Sequence, residues 1–165
     1  MIRESVHTDR LYWPHWVFIS PRVVIPGGHG LGAAYGPFIV LQTGAAQYLG
    51  VLVHEQQHVR QWWYFTLITY PILWGLIMLL GGGINPIVVL YFDWLLYRLA
   101  MRSRPVKSWA EIDAHRRELR LYGYPEDMAR SMSHSIHAAY ELGLEPNEIY
   151  TRLVKGTPLQ VVQKI

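Results

Sequence analysis

The order of apolar and polar residues divides the chain into a short N-terminal β region and a longer helical region. Residues 16–25 alternate apolar runs with turn-forming residues, which predicts two extended segments that form a hairpin. The five glycines of residues 26–36 predict a loop, and the compact apolar run of Phe38–Gln42 predicts a strand. We therefore expect a small amount of β-structure before residue 45.

Helical patterning begins near residue 45 and predicts a first helix over residues 45–62. Residues 62–80 then carry no formally charged side chain, and residues 87–101 are apolar apart from Asp93 and Arg98. Because a turn-rich segment separates these two runs, we expect an apolar helical hairpin at about residues 62–101. Three further helices are predicted over residues 109–122, 125–142 and 146–154.

These elements predict an α+β fold that is mainly helical. The chain has 165 residues, of which 51% are hydrophobic and 16% charged, so it can bury a core and does not have the composition of a disordered chain. We therefore expect residues 1–165 to form a single domain that carries the apolar hairpin as an insertion.

Composition also limits the available chemistry. The chain has no cysteine, so it can form neither disulfides nor thiolate metal sites, and a transition metal must be bound by His, Asp or Glu. The net charge is only +3 and the basic residues are mostly dispersed, so we do not expect a nucleic-acid partner. The first ten residues contain no apolar run and do not resemble a secretory signal peptide, so the default location is the cytoplasm.

A His-Glu-x-x-His motif, from His54 to His58, lies on the first predicted helix. Since four residues make just over one helical turn, the imidazoles of His54 and His58 project from the same face and can bind one cation. Glu55 lies beside His54, within reach of a water molecule on that cation, and is the predicted general base. The motif predicts a catalytic zinc site.

A catalytic zinc ion normally has three protein ligands, so a third must come from elsewhere in the chain. Residues 109–115 offer Glu111, Asp113 and His115 on one predicted helix, and Glu111 and His115 share a face of it. We favour Glu111 as the ligand and His115 as its hydrogen-bonding support, with the reverse assignment as the alternative. Glu111 can instead complete a capping box with Ser108, on a helix that is simply charged and solvated.

The sequence over residues 34–119 resembles the gluzincin membrane metallopeptidases of the heat-shock and CAAX-prenyl-endopeptidase type. The resemblance is carried by the His-Glu-x-x-His motif, the apolar hairpin and the downstream Glu111-x-x-Ala114 followed by a polar residue. It implies a zincin-like fold, Glu111 as the third zinc ligand, and Phe38–Gln42 as the edge strand along which an extended substrate binds. The chain departs from these families at His115, where they have Asp, and small soluble zincin-like domains are an equally good comparison.

These features predict a zinc metallopeptidase, most simply an endopeptidase acting on polypeptide. One alternative is a structural or assembly protein of a membrane complex or virion with a non-catalytic zinc site. Another is a hydrolase of non-peptide amides, which the same chemistry allows. A donor to the developing oxyanion is expected from one of four residues, and three isolated histidines are expected to be structural. The four are Arg116, His134, His137 and Tyr140, and the isolated histidines are His7, His15 and His29.

The apolar hairpin decides where the chain is expected to reside. Residues 62–80 would form a helix about 28 Å long, close to the bilayer core thickness of about 30 Å. Aromatic residues at 62–64 and basic residues at 98–107 flank the hairpin, as expected for insertion from the cytoplasm with the active site on that side. Against this, Asp93 is costly in lipid unless it faces the partner helix. The alternative is a cytoplasmic protein, or part of a large assembly, whose hairpin is covered by an apolar partner or an oligomer.

Overall fold

The structure is a computed structural model, and it describes residues 15–20, 23–25, 28–45, 48–83, 85–140 and 142–155. Within them the chain is mainly helical with a small sheet, which confirms the predicted α+β class. The strands are β1 (Trp16–Ser20), β2 (Val23–Ile25), β3 (Gly28–Gly30), β4 (Gly32–Tyr35) and β5 (Phe38–Gln42). The helices are α1 (Leu49–Leu79), α2 (Pro86–Ala100), α3 (Arg104–Leu121), α4 (Glu126–Ala139) and α5 (Pro146–Val154).

The main sheet has the strand order β1-β5-β4. Strand β5 runs parallel to β1 and antiparallel to β4, and its alternating side chains Ile39 and Leu41 are buried. They pack with Val59 on α1, so the sheet lies against the helix that carries the metal motif. The predicted strand is confirmed, but its predicted edge position is wrong, because β1 and β4 occupy both of its edges.

Two predictions for the N-terminal region are also wrong. The segments β1 and β2 do not form a hairpin with each other, since β1 pairs with β5 and β2 pairs with β3. The glycine-rich segment is not entirely loop, because β3 and β4 lie within it. Pairing of β4 with β5 outweighs the low strand propensity of glycine, and such non-local pairing cannot be inferred from local composition.

Helix α1 is 31 residues long and continues from the metal motif into the apolar hairpin without a break. The predicted end of the first helix at residue 62 is therefore wrong. Residues 61–64 contain neither glycine nor proline, and Pro71, the first proline after the motif, lies inside the helix without ending it. One rigid element thus links the candidate metal ligands to the hairpin.

The hairpin consists of the second half of α1 followed by the whole of α2. Between residues 62 and 97 it has one charged side chain, that of Asp93, which is buried. Asp93 accepts hydrogen bonds from the hydroxyls of Thr66, at 2.6 Å, and Thr69, so it faces the partner helix. The outward surface is apolar on both helices. Large exposed apolar residues on the hairpin include Leu67, Ile68, Ile72, Leu76, Leu79, Leu80, Ile87, Leu90, Phe92, Leu95 and Leu99.

Helix α3 begins at Arg104, five residues earlier than predicted, because Pro105 in its first turn favours a helix start there. Ser108 and Glu111 therefore lie inside the helix, so the capping-box alternative is wrong. Helix α4 ends at Ala139, short of the predicted residue 142, and α5 has the predicted bounds. Helices α3, α4 and α5 share a core that includes Ile112, Leu119, Ala129, Ile136, Ile149 and Leu153.

Candidate metal centre

Helices α1 and α3 approach each other closely at the candidate site. A Cβ atom on Gly50 of α1 would lie 2.8 Å from Glu118 Oε1 and 2.8 Å from the Tyr122 hydroxyl, both on the α3 side. On α3, the small residues Ala110 and Ala114 are fully buried. Small side chains at a helix contact reduce the distance between the axes, and the polar side chains of the two helices can then meet.

Three potential ligand atoms converge between these helices. The Nε2 atoms of His54 and His58 are 3.1 Å apart, and Glu111 Oε2 lies 3.6 Å from the first and 3.5 Å from the second. Two atoms that each bind a tetrahedral zinc ion at about 2.05 Å lie about 3.3 Å apart, so this triangle has the size that a zinc site requires. The residues that sequence analysis selected are therefore brought together.

One oxygen of the Glu111 carboxylate lacks a hydrogen-bond partner in the described part of the chain. Its Oε2 atom is fully buried and makes no hydrogen bond, although Glu111 is only 7% exposed. Buried polar atoms are nearly always satisfied, so an unpartnered carboxylate oxygen facing two imidazoles fits a site that binds a cation. The donor set of two nitrogens and one oxygen suits zinc and other divalent transition metals.

The imidazole of His58 is oriented by Gln61, one turn further along α1. Its Nδ1 atom donates to Gln61 Oε1 at 3.0 Å, which leaves the Nε2 lone pair free for a metal. Gln61 Nε2 in turn donates to the Ala110 carbonyl and to Asp113 Oδ2. Asp113 points away from the metal ligands, as expected, and also accepts a hydrogen bond from Gln57.

A second carboxylate, Glu118, lies behind His54. Its Oε2 atom is 3.8 Å from His54 Nδ1 and 3.1 Å from His115 Nδ1, and the rings of His54 and His115 are 4.3 Å apart. Sequence analysis missed Glu118, although its position seven residues after Glu111 places both on one face of α3. The group of His54, His115 and Glu118 is also close enough to hold an ion. Glu111, however, is the carboxylate that faces both motif histidines.

Glu55 lies beside the candidate ligands and beneath strand β4. A Cβ atom on Gly32 of β4 would lie 3.0 Å from Glu55 Cγ and 3.1 Å from its Oε1, so the glycine makes room for this carboxyl group. Burial raises the pKa of Glu55 to about 7; His58 opposes this rise, and the charge of Glu111 adds to it. A carboxyl group with a pKa near 7 can accept a proton and return it.

The pKa values of the three candidate ligands determine their protonation in the metal-free site. Burial lowers the pKa of His54 to about 4, although Glu111 opposes this effect. Burial also disfavours the charged form of His58, but Glu111 and Glu55 together raise its pKa to about 9. Burial acts to raise the pKa of Glu111, but the two imidazoles hold it well below its usual range. Without a metal, the site therefore holds a neutral His54 beside an ion pair of His58 and Glu111.

Of the four predicted oxyanion donors, Tyr140 is the one that the structure places at the site. Burial, followed by the charges of Glu111 and Glu55, raises the pKa of its phenol well above the usual range. The other three point elsewhere: His134 is exposed, the His137 ring contacts the Leu144 carbonyl, and Arg116 donates to the Lys155 carbonyl.

Of the three isolated histidines, only His15 has a side chain that the structure describes. The ring of His15 lies 3.3 Å from the amide of Gln56 on α1. His7 lies outside the described residues, and His29 is described only as a backbone position of β3. Their predicted structural role stays a prediction.

Comparison of the chain with protein-family models, with curated proteins and with solved structures found no match. A cluster of two His and one Glu occurs in zinc proteins of several folds, so the resemblance to the gluzincins stays a hypothesis. The function must therefore be inferred from the site itself.

Proposed function

We propose that this protein is a zinc-dependent peptidase with His54, His58 and Glu111 as metal ligands. The observation that carries the proposal is the convergence of two imidazole nitrogens on the unpartnered Oε2 of Glu111, with a second buried carboxyl group, that of Glu55, beside them. A bound zinc ion lowers the pKa of water to about 7 and polarises a carbonyl oxygen. The protein side chains supply the rest of the chemistry.

Glu55 is the proton carrier in this proposal. It takes a proton from the water that attacks the peptide carbonyl carbon, and it delivers that proton to the amide nitrogen as the C–N bond breaks. The second proton of the water also passes to the nitrogen, so the products are a carboxylate and a protonated amine. Its burial beneath Gly32 supports this role, since a pKa near 7 suits both steps near neutral pH.

Tyr140 and Gln61 assist these steps. The Tyr140 hydroxyl lies beside Glu111 and Glu55 and is the best-placed donor to the oxyanion that forms on the carbonyl oxygen. Gln61 fixes the ring of His58, so that its Nε2 stays directed at Glu111, where a zinc ion would be held.

Strand β4 is the best candidate for docking the substrate. Among the described strands, β5 is the only one that pairs with β4 in the main sheet. The first residue of β4, Gly32, lies against Glu55. An extended polypeptide that adds alongside β4 would run past the general base and the metal ligands. This position replaces the one that the resemblance implied for Phe38–Gln42, where both edges are occupied.

The proposed location is a membrane, with the hairpin of residues 62–101 in the bilayer and the metal site on the cytoplasmic side. Helix α1 is long and apolar enough to cross a bilayer, and only 11% of its most apolar 18-residue window is buried. By itself one such helix is weak evidence. Two further observations support the proposal, namely the apolar outer surface of both hairpin helices and the internal hydrogen bonds of Asp93.

The exposed hairpin also favours one alternative, an assembly protein of a membrane complex or virion with a non-catalytic zinc site. In that case another apolar surface would cover the hairpin. A structural zinc site usually has four protein ligands and no spare carboxyl group, whereas Glu55 lies free beside three candidate ligands. For this reason we prefer the peptidase.

Chelation tests the proposal. The full chain, purified in detergent, should cleave an unfolded polypeptide, lose this activity with a zinc chelator and regain it when zinc is added back. Cleavage that persists in the chelator-treated, zinc-free protein would rule out the mechanism. Cleavage that returns with zinc in His54→Ala would assign the activity to a different site.

A further inference from the structure

Three aromatic rings are exposed on one end of the main sheet. Trp16, Phe18 and Phe38 are 54%, 52% and 44% exposed, and the Phe38 ring centroid lies 5.3 Å from that of Trp16 and 6.1 Å from that of Phe18. Trp16 is opposite Phe38 in the parallel pairing and Phe18 is two residues further along, so all three share a face. We call these three residues the aromatic patch. A cluster of exposed aromatic rings indicates a surface that is covered by something other than water.

The aromatic patch lies at the end of the sheet that contacts the base of the hairpin. The turn just before Phe38 packs against both hairpin helices, since a Cβ atom on Gly36 would lie 3.4 Å from Trp62 and 3.4 Å from Trp94. Arg98 of α2 lies over the Tyr35 ring, 5.9 Å from its centroid, and Tyr35 is the pairing partner of Phe38. The patch is therefore next to the level at which α1 and α2 leave the rest of the protein.

Basic residues follow the base of the hairpin at this level. Arg98 lies in the last turn of α2 and Arg102 follows that helix, whereas β1 contributes no charged residue beside the patch. Exposed tryptophan and phenylalanine side chains favour the boundary between the headgroups and the acyl chains of a bilayer, and arginine or lysine near them favours anionic lipids. Aromatic rings beside basic groups at the foot of an apolar hairpin thus match the chemistry of an anionic membrane surface.

We propose that the aromatic patch enters the headgroup region of an anionic lipid bilayer, as a second membrane contact beside the hairpin. The inference rests on the proposed membrane position of the hairpin. Because the sheet packs against the hairpin, a second contact would fix the tilt of the whole protein relative to the bilayer. His58 precedes Trp62 by about one turn, or about 6 Å along α1, so the metal site would then be held close to the membrane surface.

Single cysteines test this directly, because the chain has no native cysteine. A polarity-sensitive fluorophore is attached at Phe18→Cys in the patch, at Leu76→Cys in the hairpin, or at Thr43→Cys. Thr43 is exposed at the opposite end of the sheet and is the matched control. Each labelled full-length chain is reconstituted in vesicles of phosphatidylcholine and phosphatidylglycerol that carry a spin-labelled lipid as quencher.

The expected result is a blue-shifted emission and a loss of fluorescence to the lipid quencher at both Phe18→Cys and Leu76→Cys, but not at Thr43→Cys. Quenching at Leu76→Cys without quenching at Phe18→Cys would overturn the second contact and leave the hairpin in the bilayer. Quenching at none of the three positions would overturn the membrane proposal as well. A Phe18→Cys label shielded from both lipid-borne and water-soluble quenchers would indicate a protein partner and would also overturn the inference.

Discussion

The Nδ1 atom of His58 donates a hydrogen bond to Oε1 of Gln61 at 3.0 Å, and this contact fixes which nitrogen of the imidazole faces Glu111. Partners of this kind commonly change metal affinity about 10- to 100-fold. We expect Gln61→Ala to bind zinc more weakly by a factor in this range, measured by competition with a chromophoric chelator. Gln61→Glu retains an acceptor oxygen and should keep more of the affinity, whereas equal binding by Gln61→Ala and wild type would exclude the orienting role.

The two carboxylates of α3 should differ in their importance for zinc. Glu111→Ala removes a proposed ligand and should lose most of the bound zinc, while Glu118→Gln should weaken binding only about tenfold, because Glu118 acts through His54. Zinc content by elemental analysis distinguishes the two variants. If Glu111→Ala keeps its zinc while Glu118→Gln and His115→Ala lose it, the ion is bound by His54, His115 and Glu118 instead.

Zinc binding should release a proton from His58. Its pKa of about 9 in the metal-free protein means that it is protonated at neutral pH, and a ligand must give up that proton. The affinity should therefore increase as the pH rises towards 9, by about tenfold per unit. The affinity rises with pH because protons compete with zinc for His58 below that pKa.

Calorimetry in buffers of different ionisation enthalpy measures this proton. Measurement at about pH 6 in the Glu55→Gln variant removes the contributions of bound water and of Glu55, whose own pKa is about 7. We expect about one proton released per zinc ion. Absence of proton release under these conditions would mean that His58 is not a ligand or is already neutral.

Gly32→Ala should reduce activity and leave zinc in place. The added methyl group would lie 3.0 Å from both Glu55 Cγ and Leu41 Cδ2, so the general base has to move. A displacement of about 1 Å from the reacting atoms can cost about 100-fold in rate. Gly75→Ala is the matched control: nothing lies within 4 Å of the new methyl group, so activity should be unchanged. Wild-type kcat/KM in Gly32→Ala would contradict the placement of Glu55 against β4.

The metal motif was predictable because its geometry is local. His54 and His58 are four residues apart on a helix, so their shared face follows from the helical repeat alone. Glu111 is 53 residues beyond His58, and its inward direction was inferred from residue type and resemblance before the structure placed it between the two imidazoles.

Other parts of the site depend on tertiary contacts that no local pattern encodes. Gly50 and Gly32 matter because α3 and β4 approach α1 at those points, and neither glycine lies in a recognisable motif. Glu118 is linked to the site through His54 and His115, which local sequence does not bring together. The parallel pairing of β1 with β5 is likewise non-local, and for this reason the predicted hairpin was wrong.

In the proposed mechanism, one zinc ion and Glu55 together hydrolyse peptide bonds. The most direct test measures zinc content and cleavage of an unfolded protein substrate side by side in wild type and in Glu55→Gln, which keeps the size of the side chain and removes its charge. We expect about one zinc per chain in both proteins and cleavage only in wild type. Absence of zinc from the wild-type protein, or undiminished cleavage by Glu55→Gln, would contradict it.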